Sequence, residues 1–109
     1  MKLLTLKQNA DFRRLYYRGK SASDPAVAVY ARKNRLGRNR IGITVSVKVG
    51  NAVIRSRARR VIREGYRMAE SRLPTGYDFV FVARGRTPRM KSGEVGDAIT
   101  ELVERLGLK

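Results

Sequence analysis

Hydrophobic positions fall into runs whose spacing changes along the chain, and each change marks an element. Leu6 to Arg18 reads as a first helix, with Thr5 and Gln8 as its capping box and Gly19 as its stop. From Ala26 to Arg32 the period shortens to two, with Val27 and Val29 on one side and Ala28 and Tyr30 on the other. Ile41, Ile43, Val45 and Val47 alternate in the same way, and a basic loop holding Asn34, Gly37 and Asn39 joins the two strands. Helical spacing returns from Ala52 to Ser71 and is broken by Leu73-Pro74-Thr75-Gly76. Tyr77 to Arg84 is apolar nearly throughout, which predicts a strand that is central or covered on both faces. After a loop over Gly85 to Arg89, Ser92 is placed to cap a last helix. There Val95, Ala98, Ile99, Leu102, Val103 and Leu106 repeat at helical spacing, and acids crowd the first turns as the helix dipole favours.

The order is therefore helix, two or three strands, helix, strand, helix. That pattern predicts an α+β sandwich with helices over a mixed sheet. A length of 109 residues fits one domain, and a hydrophobic fraction of 42% suffices for one modest core. No repeat, low-complexity tract or linker interrupts the chain.

Charge changes the picture more than size does. Lys and Arg number 25 against 9 Asp and Glu, a formal net charge of +16, which calls for a polyanionic partner. Between Asp24 and Glu64 there is no acid, and 11 cations lie in that interval. The C-terminal residues reverse the balance, with Glu94, Asp97, Glu101 and Glu104 against Arg105 and Lys109. Arg outnumbers Lys by 18 to 7; a planar guanidinium grips phosphate in bidentate fashion and stacks on bases, which tilts the partner toward nucleic acid. No run approaches the roughly 18 apolar residues of a membrane span, and Met1 to Lys7 is too short an apolar stretch for an export signal. The expected location is the cytoplasm, with no membrane partner.

The second helix concentrates this charge. Ile54, Ala58, Val61, Ile62, Gly65 and Ala69 fall within an arc of about 100° that should pack on the sheet. Arg55, Arg57, Arg59, Arg60, Arg63 and Arg67 occupy the rest. Like charges at i, i+4, such as Arg55 with Arg59 and Arg59 with Arg63, repel by a few tenths of a kcal/mol each, and a phosphate backbone would relieve them. Contact with about six phosphates predicts that log affinity falls with log salt at a slope of about −4 to −5.

Among the aromatics, Tyr66, Tyr77, Phe79 and Phe81 are expected in the core. Tyr16, Tyr17 and Tyr30 are candidates for stacking on single-stranded bases, and Phe12 fits either role. Zero Cys and zero His remove thiolate nucleophiles, the commonest general base and the commonest metal ligands. The acids show no metal-ligand spacing, and Lys or Tyr would be a poorly tuned base. The residues alone describe a non-catalytic binder of RNA.

Lys48 to Arg67, KVGNAVIRSRARRVIREGYR, resembles the signature of the protein subunits of bacterial ribonuclease P. That pattern is Gly-Asn-Ala-Val, one residue, Arg-Asn-Arg, one residue, a basic pair and a further Arg-Glu. Gly50-Asn51-Ala52-Val53, Arg55, Arg57, Arg59-Arg60 and Arg63-Glu64 match it in register. The likeness extends to Asn9-Ala10-Asp11-Phe12 with Gly19, to Val29-Tyr30 and to Asp78 to Arg84. It implies an α-β-β-β-α-β-α sandwich of the ribosomal-protein-S5-domain-2-like kind, with a left-handed β-α-β crossover. It also implies a cleft for the single-stranded 5′ leader of precursor tRNA. By the same resemblance Phe12, Tyr16 and Tyr30 are the cleft aromatics, and Arg55, Arg57, Arg59, Arg60 and Arg63 form the helix that faces RNA. Lys48 and Asn51 lead into that helix. The partners implied are the catalytic RNA and precursor tRNA, with no obligate protein partner. Cleavage would be a magnesium-dependent hydrolysis belonging to the RNA, with magnesium held mainly by the RNA subunit and substrate.

Two positions depart from the family pattern. Ser56 stands where an Asn is usual between the two arginines, and Val47 stands where many members carry Lys. The competing readings are a ribosomal or general RNA-binding protein without a role in tRNA processing, and a nuclease in its own right that would depend on Asp78.

Overall fold

The computed structural model describes residues 4–6 and 9–108. Its elements are α1 (Asn9–Arg18), β1 (Lys20–Ser23), β2 (Val27–Lys33), β3 (Arg40–Thr44), α2 (Ala52–Ala69), β4 (Tyr77–Ala83) and α3 (Ser92–Leu106). The four strands form one sheet in the order β1-β2-β4-β3. β1 and β2 pair antiparallel, as do β2 and β4, whereas β3 and β4 run parallel as neighbours joined through α2. This is the expected α-β-β-β-α-β-α order on a mixed sheet, with Tyr77–Ala83 inside it as its apolar run predicts.

Register assigns each strand residue to a face. Val27, Val29, Ala31, Phe79, Phe81 and Ile41 point to the side carrying α2 and α3 and are buried there. The tilted contact of Tyr66 with Phe81 and the stacked contact of Phe79 with Phe81, at centroid distances of 5.7 and 6.0 Å, fill the centre of that core. α2 meets α3 where two glycines face each other. A Cβ on Gly96 would lie 2.7 Å from the carbonyl oxygen of Gly65, so the backbones approach as only glycine allows.

Four expectations are corrected. Thr5 does not cap α1: it bridges Ile41, and the Leu6 N–H donates to the Ile41 carbonyl at 2.8 Å, so this stretch is extended along β3. α1 is described over Asn9–Arg18; Gln8, the other half of the expected capping box, lies outside the described residues. The alternation through Val45 and Val47 outlasts the strand. β3 ends at Thr44, and Ser46 accepts the Lys48 N–H at 3.1 Å to turn the chain into the short 3-10 turn Val47–Val49. Ile54 is not core; it is 37% exposed and folds against Gly50, in a first turn of α2 that is exposed from Asn51 to Ile54. Ser92 does not cap α3. The Lys91 N–H donates to Glu94 at 2.9 Å instead, while the Ser92 hydroxyl donates to Glu64 across the close α2–α3 crossing. β1 is the third strand of the first run; its sequence, Lys-Ser-Ala-Ser, carries no apolar alternation and it pairs only at the sheet edge.

Candidate RNA interface

α1 covers the other face of the sheet only in part. Its one fully buried residue is Leu15, packed with Leu6 and Val80. Phe12 is half buried because β3 carries glycine beneath it: a Cβ on Gly42 would lie 2.6 Å from the Phe12 ring. One turn on, the Tyr16 hydroxyl hydrogen-bonds the Thr44 hydroxyl at 2.8 Å, and its ring stands edge-on to Tyr30 at 4.9 Å and 87°. The aromatic contacts of α1 therefore reach β3 and β2 at once.

Between α1 and β3 runs a groove of about 600 Å³. Phe12, Arg13 and Tyr16 form one wall, Ile43, Thr44 and Val45 the other, and Arg59 reaches in from α2. Apolar and aromatic walls with two guanidinium groups suit a strand that stacks its bases and exposes its phosphates. The family resemblance puts Phe12, Tyr16 and Tyr30 in a cleft and Arg59 on an RNA-facing helix; Phe12, Tyr16 and Arg59 line this groove, Tyr30 does not, and Arg13 and the β3 residues were missed. Arg13 shares a helical face with Asn9 and Tyr16, a signal that was present. Tyr30 supports Tyr16 from β2, with β4 lying between that strand and β3. Tyr17, one residue further round the helix, is 86% exposed and is not part of the groove.

The remaining predicted residues divide. Arg57 and Arg60 line a second depression of about 560 Å³ with Ala52, Val53 and Ser56. Arg63 is exposed and Arg55 half buried on the same helix. Asn51 is the N-cap of α2, its side-chain oxygen accepting the Ile54 N–H at 3.0 Å, which fixes the helix start and with it the arginine face. Lys48 is exposed in the turn before it. No ion pair reaches these arginines among the described residues, so the face keeps its charge.

Asp78 is already engaged. Arg40 donates to both its oxygens, from Nε at 2.9 Å and Nη2 at 2.8 Å, and Asn34 adds a bond at 2.9 Å. The carboxylate in turn raises the pKa of the Arg40 guanidinium above its ordinary value. Among the described residues no three His, Cys, Asp or Glu converge on a point that could hold a metal ion, and no helix is long and apolar enough to cross a membrane.

Fold and site define a basic α+β protein that opens an aromatic groove beside an arginine-faced helix. The family model for ribonuclease P matches residues 1–107. The ribonuclease P protein component of Alkaliphilus metalliredigens is 41% identical over 103 residues, covering 94% of this chain and 93% of that protein. That of Pelotomaculum thermopropionicum is 44% identical over 106 residues, covering 96% and 95%. Among solved structures, the Staphylococcus aureus RNase P protein superposes with a TM-score of 0.80 at 31% identity over 95% of each chain. The Thermotoga maritima protein gives 0.81 at 30%, over 93% of this chain and 96% of that one. The chain belongs to the ribonuclease P protein family, and its function is that of the protein component of this endoribonuclease, in tRNA 5′ processing.

Proposed function

We propose that the groove between α1 and β3 holds the single-stranded 5′ leader of precursor tRNA while the arginine face of α2 contacts the RNA subunit, and that hydrolysis is carried by that RNA in the cytoplasm. The observation that carries this reading is the meeting of Phe12, Tyr16 and Arg59 in one groove backed by Tyr30. Such a groove admits an unpaired strand whose bases lie on rings while its phosphates meet Arg13 and Arg59. Arg57 and Arg60 open to a different side of α2, which lets one helix touch two RNAs.

In this reading the chain's own residues bind and orient, and the bond-breaking step falls to the RNA subunit. Asp78 is held by Arg40 and Asn34; of the other acids four lie on α3, Asp11 on α1 and Glu64 on α2, while Asp24 and Glu70 are half-buried in the turns before β2 and after α2. Magnesium needs several hard oxygen ligands at close to octahedral geometry, and the described side chains do not assemble them. In this reading magnesium is held mainly by the RNA subunit and substrate.

Reconstitution tests the reading. The purified chain should leave precursor tRNA intact on its own and should restore its cleavage by a ribonuclease P RNA at low magnesium. Absence of stimulation would overturn the accessory role, and would favour a general RNA-binding protein if leader-bearing and leaderless RNAs also bound equally. Cleavage without the RNA subunit would overturn the assignment of chemistry to RNA.

A further inference from the structure

The sheet ends at β3, and among the described residues no further named strand lies on its outer side. Along a strand the N–H and C=O of one residue point the same way and those of the next residue point oppositely. Ile41 settles the direction in β3. Its N–H donates to the Leu4 carbonyl and its carbonyl accepts the Leu6 N–H, each at 2.8 Å, so both groups face outward. Gly42 and Thr44 therefore turn theirs inward to β4, and Ile43 turns its own outward again. Continued pairing would carry the Ile43 N–H to the Leu6 carbonyl, but the bonds of Leu4 and Leu6 stop at Ile41.

The groove passes over this edge. Thr44 lies on the α1 face, bonded to Tyr16, while Ile43 and Val45 pack on the core under α2. All three line the groove together with Arg13 of α1 and Arg59 of α2, which come from opposite sides of the sheet. A hollow bounded by both faces crosses the edge between them, where the outward amide and carbonyl of half-buried Ile43 lie. Backbone groups on an open strand edge are ready to pair with an incoming partner.

The chemistry of that pair of groups selects its partner. A phosphate offers acceptors only, so the carbonyl beside the amide opposes it, and Arg13 and Arg59 supply the phosphate contacts instead. An added peptide strand draws its affinity from a ladder of main-chain bonds, and the open stretch is too short for one, bounded by the Leu4 and Leu6 bonds on one side and by the turn that Ser46 begins on the other. A nucleobase fits, because the Watson–Crick edge of each of the four bases carries a donor beside an acceptor, and unpaired bases are read on that edge. Resting on the leader reading above, we propose that the outward amide and carbonyl of Ile43 hydrogen-bond the Watson–Crick edge of one leader base, so that the groove selects a leader nucleotide that is unpaired. A paired base has that edge occupied and is refused.

Equilibrium binding to the RNA subunit assembled with the chain tests this, using precursor tRNA with an all-uridine leader in which uracil is replaced, one position at a time, by its difluorotoluene isostere. The isostere stacks as uracil does and scarcely hydrogen-bonds. With the native chain, replacement at one position should weaken binding several-fold. Ile43→Pro removes the N–H on an edge strand, where proline is tolerated. That chain should bind the uridine leader several-fold more weakly and show no further loss with the isostere at that position. An ester in place of the Ile43 amide keeps the side chain and removes the same donor, and should behave alike; thermal unfolding shows which variant is folded, and the ester decides if Ile43→Pro is not. No sensitive position with the native chain, or the same sensitivity in a folded variant, would overturn the base contact while leaving the leader groove standing. Equal binding of leader-bearing and mature tRNA by the native complex would overturn the leader reading itself, and the base contact with it.

Discussion

On the face of the sheet under α2 and α3, Val27, Val29, Phe79 and Phe81 are fully buried, whereas on the α1 face Ala28, Tyr30, Thr44 and Val82 remain half exposed. The same strands supply both sets, one residue apart. Two helices close the first face, and their glycine-to-glycine crossing leaves no room for a ligand. One helix of 10 residues covers the second, burying little more than Leu15, and the uncovered strip of β3 becomes the groove. Stability is thus concentrated where the hydrophobic pattern is complete, and binding where it is left incomplete. The charges follow the same division, with acids gathered on α3 and uncompensated arginines on α2 and around α1.

Substitutions on the two faces should separate these roles. The largest effect belongs to Phe81→Ala, which empties the centre of the closed core and should cost about 3–5 kcal/mol of stability. Chemical denaturation reads it directly, and a loss below 1 kcal/mol would mean that the core is not organised around this ring. Tyr66, packed on Phe81, gives a pH signature. Burial pushes its hydroxyl up to about 12 from 10.0, against a smaller pull from Asn39. Below pH 10 the hydroxyl is neutral in both states; above it the unfolded chain ionises first, so stability should fall by about 2 kcal/mol as the pH rises toward 12. Tyr66→Phe should remove that part of the alkaline loss, and identical pH profiles would show that Tyr66 is not its source.

On the open face the effects should appear in binding instead. Tyr30→Ala should weaken leader-bearing RNA by roughly 1–2 kcal/mol more than mature tRNA, since the edge-on support of Tyr16 is lost with it. Equal losses on both RNAs would assign Tyr30 to general packing. The smallest effect is that of Arg59→Ala, which should leave unfolding unchanged and flatten the salt slope by about one unit. A slope equal to that of the native chain would mean that this guanidinium touches no phosphate.

Much of the closed face was legible in the sequence, and the groove only in pieces. Val27 with Val29, the apolar run over Tyr77–Ala83 and the stripe of Ala58, Val61, Ile62, Gly65 and Ala69 declare themselves by period, because burial on one side leaves a repeating mark. Ile54 carries the same mark and stays exposed, since period reports a face and not how far the partner beneath it extends. β1 carries no such mark; its pairing is decided by β2 beside it. The groove brings Thr44 to Tyr16 across 28 residues, through parallel pairing that local spacing does not encode. Arg59 was nonetheless visible by charge, and Phe12 and Tyr16 as scarce aromatics, whereas Arg13 was missed. Ser92 shows the opposite case, a good cap residue by chemistry that the α2–α3 crossing diverts to Glu64.

The leader groove is tested most directly by equilibrium binding of precursor and mature tRNA to the RNA subunit assembled with the native chain and with a Tyr16→Ala chain. The native complex should hold the leader-bearing RNA more tightly than the mature one, and Tyr16→Ala should erase most of that preference while binding mature tRNA as before. A preference that survives Tyr16→Ala in full would place the leader elsewhere on the protein.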